Sequence, residues 1–138
     1  MDGGSPESLN FLSTIDPNGS LEAVLLLKRT GILIGAWTRQ DMPLDIVAVM
    51  TGTLLGSVET LVQAMRCDSP RVVKVESESC QMLATKVHGS SVLVLIAPAD
   101  MRDGHLRKLS GRIEARLSKP EDESLLHPVS PPIASARR

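Results

Sequence analysis

Residues 21–37 read LEAVLLLKRTGILIGAW. Two apolar runs, LEAVLLLK at 21–28 and ILIGAW at 32–37, flank Arg29, Thr30 and Gly31, a length and composition suited to a tight β-hairpin. The first run is nearly continuous in apolar residues, so both of its faces need cover. That requirement makes it an interior strand.

Downstream of the hairpin, Pro43 can open a helix, with Met42 before it held extended. Val47, Leu54, Val58, Leu61 and Met65 keep helical spacing as far as Arg66, so this segment forms one long helix. A second face carries Ala48, Gly52 and Gly56, a column of small side chains. Within it, GTLLG at 52–56 has the glycine spacing by which membrane-spanning helices pair. A bilayer span needs about 20 predominantly apolar residues, whereas the uncharged stretch between Asp45 and Glu59 has 13. No membrane span is expected.

Past Asp68-Ser69-Pro70 come three more strands, VVKVES at 72–77, QMLATKV at 81–87 and SVLVLIA at 91–97. The first alternates, with Val73 and Val75 on one face and Lys74 and Glu76 on the other, which suits a half-exposed edge strand. The third is continuously apolar and belongs in the interior, and His88-Gly89-Ser90 supplies the turn between the last two. Beyond Pro98, Asp100 or Asp103 caps a helix whose buried stripe is Leu106, Leu109, Ile113 and Leu117.

The ends differ in kind. Residues 1–20 form an acidic segment, in which Ser5-Pro6-Glu7 starts a short helix with Leu9, Leu12 and Ile15, closed by Pro17 and Gly19. The domain proper is 21–117. From 118 to 138, four prolines and the cluster Glu121-Asp122-Glu123 point to a flexible tail, and PVSP at 128–131 reads as linker. The N-terminus shows no basic region followed by an apolar core, so no secretory signal is expected.

Composition excludes several functions. The chain has 138 residues, a formal net charge of -1, 42% hydrophobic and 22% charged residues, which fits one soluble domain and not a general polyanion binder. One Phe, one Trp and no Tyr leave no stacking platforms for single strands. Nucleic acid is not expected as a partner. Cys67 and Cys80 form no CxxC, which fits a reduced cytoplasmic protein. His88, His105 and His127 lie on separate elements, so neither a metal site nor a Cys80–His88 catalytic pair is expected. No GxxxxGK[ST] occurs, so the chain is not itself a P-loop GTPase. Basic residues along the last helix (Arg102, Arg107, Lys108, Arg112, Arg116, Lys119) read as solvated surface balanced by the acidic N-terminal segment.

TGILIGA at 30–36, the small-residue-rich helix after it and DMRDGHLRKL at 100–109 resemble the Roadblock/dynein light-chain domain family, in its small prokaryotic or archaeal form, over about residues 5–117. The resemblance implies an α+β fold, an α/β/α sandwich. Its five-stranded antiparallel sheet runs in the order 2-1-5-4-3, with the long middle helix on one face and the terminal helices on the other. Family members dimerise by pairing third strands and packing middle helices, and many are non-catalytic partners, scaffolds or activators of small Ras-like GTPases.

For this chain the resemblance implies a cytoplasmic homodimer, or a heterodimer with a related Roadblock chain, that binds a small Ras-like GTPase without a cofactor. The expected dimer interface is Ala48, Gly52, Thr53 and Gly56 on the helix with Val72, Val73, Lys74 and Val75 on the edge strand, and Glu59, Thr60 and Gln63 are the expected partner contacts. Packing of the glycines on the chain's own sheet is the competing account of that column. The alternative function is a longin-like or sensor-like module that binds a small ligand or another protein without GTPase regulation, longin-like because the first helix is short for the family and sensor-like because related sheet-and-helix domains enclose ligands.

Overall fold

The computed structural model describes residues 7–8, 16, 19–87 and 89–117. Its elements in chain order are β1 (Glu7–Ser8), β2 (Ala23–Lys28), β3 (Leu33–Thr38), α1 (Leu44–Ala64), β4 (Val72–Glu76), β5 (Cys80–Lys86), β6 (Ser91–Pro98) and α2 (Asp103–Leu117). One sheet holds all the strands in the order β1-β3-β2-β6-β5-β4. Without the two-residue β1, the five longer strands lie in the order 2-1-5-4-3 and every pairing among them is antiparallel.

Burial explains the order. β2 and β6 are buried almost along their whole length and pair with each other at the centre, Ala23 opposite Ile96 through Lys28 opposite Ser91. The half-charged β4 takes one edge, where its backbone needs fewest apolar neighbours. Gly31, at φ +97°, turns the β2–β3 hairpin, closed by hydrogen bonds from the Gly31 N–H to the Lys28 carbonyl and from Lys28 to Ile32, each 2.8 Å. Only glycine adopts that backbone conformation without strain.

At the other edge the N-terminal segment departs from expectation. Glu7 and Ser8, expected in a short first helix, are instead extended and pair in parallel with Gly35 and Ala36 of β3. Residues 9–15, the remainder of that expected helix, lie outside the described residues, as do His88 and the tail at 118–138.

Each face of the sheet has its own core. Leu21, Val24, Leu83, Leu93 and Leu95 meet Leu106, Leu109 and Ile113 of α2 on one side, so the stripe read from the sequence is the buried one. On the other side Ala23, Leu25, Leu27, Ala84, Val92 and Val94 pack with Ala48 of α1. Gln81 is 3% exposed, and its amide donates to the carbonyls of Pro98 (3.0 Å) and Met101 (2.8 Å). These bonds satisfy a buried polar group while fixing the turn that enters α2.

α1 ends in a Schellman motif. The Cys67 N–H reaches the Val62 carbonyl and the Arg66 N–H reaches the Gln63 carbonyl, at 2.8 and 2.9 Å. Arg66 occupies the left-handed position (φ 61°) where glycine is usual. By length and composition α1 is apolar enough to cross a membrane, yet here it is one layer of the fold. Ala48 and Thr51 are buried, and the Glu59 side chain, 18% exposed, is ion-paired to Lys86 of β5.

Candidate interaction surface

The small-residue column of α1 meets the chain's own hairpin. A Cβ built on Gly52 would stand 2.9 Å from the Gly31 Cα and 3.0 Å from its nitrogen, and one on Gly31 would stand 3.1 Å from the Val49 Cα. Ala48 is fully buried. Ala48 and Gly52, expected at a dimer interface, are small where helix and hairpin approach backbone to backbone; Ala48 has no exposed surface, while Gly52 is half-buried against Gly31. Gly56 differs: a Cβ there would meet nothing within 4 Å.

A different face of α1 is open. Ile46, Val49, Met50, Leu61 and Met65 are 61, 53, 57, 58 and 56% exposed. Leu61 and Met65 belong to the series whose spacing marks the helix, and both are exposed. Ile46 and Met50, four residues apart, stand on one helix face, and the interface expected from the sequence omitted both. The signal was present: apolar residues run nearly all round the first turns of α1 (Ile46, Val47, Val49, Met50), and a helix apolar on every side needs cover on every side. Among the described residues, the sheet and the hairpin turn at Gly31 supply it on one side.

The edge strand β4 divides its side chains between two faces. Val73 joins the partly buried residues on the α1 side of the sheet, and Val72 joins those on the α2 side. Val75 is 42% exposed. Lys74 projects toward α2, where its ammonium lies 2.6 Å from Asp103 and 3.1 Å from Glu76. The hydrogen bond to Asp103, then the one to Glu76, raises the Lys74 pKa, while Lys74 and then Arg107 (2.8 Å) lower that of Asp103. Of the four β4 candidates, Val73 and Val75 share a face with α1, and Lys74 is held by its own chain.

Among the expected partner contacts, Thr60 and Gln63 are exposed, and the Thr60 and Thr53 hydroxyls donate to the carbonyls four residues earlier, Gly56 and Val49, both at 3.1 Å. Glu59 is engaged within the chain. Its Oε2 accepts from Arg29 at 3.0 Å, Lys86 at 2.6 Å and Ser69 at 2.6 Å. The bonds from Lys86 and then Ser69 hold its carboxyl below the ordinary value.

Catalytic chemistry finds few parts. Cys67 and Cys80 are exposed and free, and Cys80 Sγ lies 3.5 Å from Ser77 Oγ; His88 lies outside the described residues. Among the described residues no three His, Cys, Asp or Glu side chains gather as metal ligands. On α2, Arg107 pairs with Asp103, while the acidic segment expected to balance the basic surface is mostly outside the described residues.

No protein-family model and no curated protein sequence matches the chain. Solved structures do. Myxococcus xanthus MglB superposes with a TM-score of 0.70 at 18% identity, covering 80% of this chain and 90% of that one. MglB in a tetrameric arrangement gives 0.70 at 15%, covering 80% and 84%. A Roadblock/LC7 domain from Streptomyces avermitilis gives 0.69 at 15%, covering 80% and 95%. The fold of this chain is the Roadblock/LC7 fold.

Proposed function

We propose that this protein is a non-catalytic adaptor that works as a dimer and binds a small Ras-like GTPase, modulating its activity or localisation. The observation that carries the reading is the exposed apolar face of α1, Ile46, Met50, Leu61 and Met65, in a chain whose strand β4 is at the edge of the sheet, with no strand paired to its outer side among the described residues. Exposed apolar helix surface beside an open strand edge is the combination that a second chain covers by helix packing and strand pairing at once. The tetrameric arrangement of one matching MglB supports association in this fold. A GTPase partner is what the Roadblock resemblance implies, and fold likeness alone does not assign it. The proposed interface is Ile46, Met50, Thr53, Leu61, Met65 and Val75.

Two experiments test this in turn. Light scattering after gel filtration should give twice the monomer mass at ~10 µM, a concentration at which even micromolar association is populated; a monomer there sinks the dimer. A pull-down from the native lysate, probed for small GTPases loaded with GDP or with a GTP analogue, should recover one of them in one nucleotide state. Recovery of none, with the dimer intact, would leave an assembly without the proposed partner and refute the regulatory role.

A further inference from the structure

Beneath the C-terminal half of α1 is a cavity of about 200 Å³. Its inner wall is apolar: Leu55, Val73, Ala84 and Val92, of which Ala84 and Val92 belong to the core at 2 and 1% exposed. Its mouth is charged, with Arg29, Arg71, Lys86 and Glu59.

Two features there have no use within the fold. The first is Gly56, which lines the cavity. Gly52 owes its lack of a side chain to Gly31, but a Cβ at Gly56 would touch nothing within 4 Å. After proline, glycine is the residue least suited to a helix interior, so the space it leaves open has no internal justification. The second is the charge balance of the mouth. Arg29 and Lys86 share the single Glu59 carboxylate, and Arg71 is exposed with no ion-pair partner among the described residues. Three cations face one carboxylate over an apolar floor.

We propose that this cavity binds a small amphipathic carboxylate, its apolar chain on Leu55, Val73, Ala84 and Val92 and its head group held at the mouth by Arg71, with Arg29 and Lys86 adding to the field. The volume is below the roughly 300–1,000 Å³ of sites for drug-sized ligands, which selects a short, unbranched chain. Arginine's planar fork matches a carboxylate, and Arg71 is the one of the three whose charge is not shared with a carboxylate among the described residues. Passage of the chain beside the helix uses the space at Gly56. The site requires neither dimerisation nor a GTPase.

The test is titration calorimetry of the full chain with octanoate as probe, and with octanol and acetate as single-feature controls. Octanoate should bind saturably at about millimolar or tighter, with octanol and acetate each at least about tenfold weaker, because a charge-assisted hydrogen bond and the apolar contact each contribute that much. Arg71→Ala should weaken octanoate about tenfold, and Gly56→Leu should abolish binding by filling the space, each with an unchanged circular dichroism spectrum. No saturable octanoate binding, or octanol binding as tightly as octanoate, overturns the proposal. So does a Gly56→Leu protein that loses self-association while octanoate binds as before, since the cavity would then receive a side chain of a second copy.

Discussion

Gly52 of α1 and Gly31 of the β2–β3 hairpin meet backbone against backbone, with only 2.9 Å between the Gly31 Cα and the place a Gly52 Cβ would occupy. The obstructing atoms are main chain, so no rotamer change relieves the overlap. Gly52→Ala is expected to lose about 1–3 kcal/mol, the usual range for overpacking. Gly56→Ala, with open space at the same test position, is expected to gain about 0.5–1 kcal/mol from helix propensity alone. Urea unfolding of the two variants checks both signs. Equal responses would mean that the contact with Gly31 does not set the helix position.

Self-association should respond to the other side of the helix. Met50→Asp and Leu61→Asp place a charge on side chains 57 and 58% exposed, so the monomer fold loses little, while burial of an unpaired charge in an interface is costly. Each is expected to weaken dimerisation at least tenfold, or about 1.4 kcal/mol, with thermal stability unchanged at a concentration where the wild type is monomeric. Val75→Asp should act likewise. Lys74→Glu should affect association less, because Lys74 turns toward Asp103. Sedimentation velocity across a dilution series separates these outcomes, and a Lys74→Glu defect exceeding that of Met50→Asp would relocate the interface to the α2 side.

The core strands were legible because their signal is local. Continuous apolar runs at 21–28 and 91–97 required two covered faces, and alternation at Val73 and Val75 required one, which fixed centre and edge. The stripe Leu106, Leu109, Ile113 was equally plain, since a helix with few apolar residues leaves one face to choose. α1 was not, because apolar residues surround it and periodicity could not say which side meets the sheet; the series that marks the helix runs from the half-buried Val47 to the exposed Leu61 and Met65. The glycine column announced close approach without naming the partner. That partner is Gly31, which is twenty-one residues upstream of Gly52 and adjacent only after folding. Ser5-Pro6-Glu7 reads locally as a helix start, whereas Glu7 and Ser8 pair with β3, a partner distant in sequence.

Arg66 offers a stabilising substitution. It sits at φ 61° in the Schellman turn formed by the Cys67 and Arg66 N–H bonds, a conformation costing a residue with a Cβ roughly 1–2 kcal/mol. Glycine removes that cost and adds about 0.5–1 kcal/mol of unfolded-chain entropy. Arg66→Gly is therefore expected to stabilise by about 0.5–1 kcal/mol. Arg66→Ala retains the Cβ and should gain nothing. Thermal unfolding of the three proteins side by side decides it, and a loss of stability in Arg66→Gly would show that the arginine side chain itself holds the helix end.

The ion pairs that join elements should give the fold a pH signature at both ends of the scale. Glu59 connects α1 to the hairpin through Arg29 and to β5 through Lys86, and its folded pKa lies below the ordinary value, chiefly through the Lys86 hydrogen bond. Asp103 is lowered in the same sense, chiefly by Lys74. A lowered carboxyl pKa stabilises the folded state above the unfolded-chain value, about 4.3 for Glu and 3.9 for Asp. That stabilisation fades as pH falls through the folded values. Lys74, raised chiefly by Asp103, behaves in reverse: its contribution is complete below about 10.4 and is lost as pH climbs past the raised value. Glu59→Gln should therefore melt lower than wild type at neutral pH, with the difference closing below about pH 4.3. Lys74→Met should show a deficit that persists at pH 9 and closes only at strongly alkaline pH. Both differences should be small and shrink in salt, since these side chains are in contact with solvent. A Glu59→Gln deficit that stayed constant down to pH 2 would assign the effect to side-chain packing and not to charge.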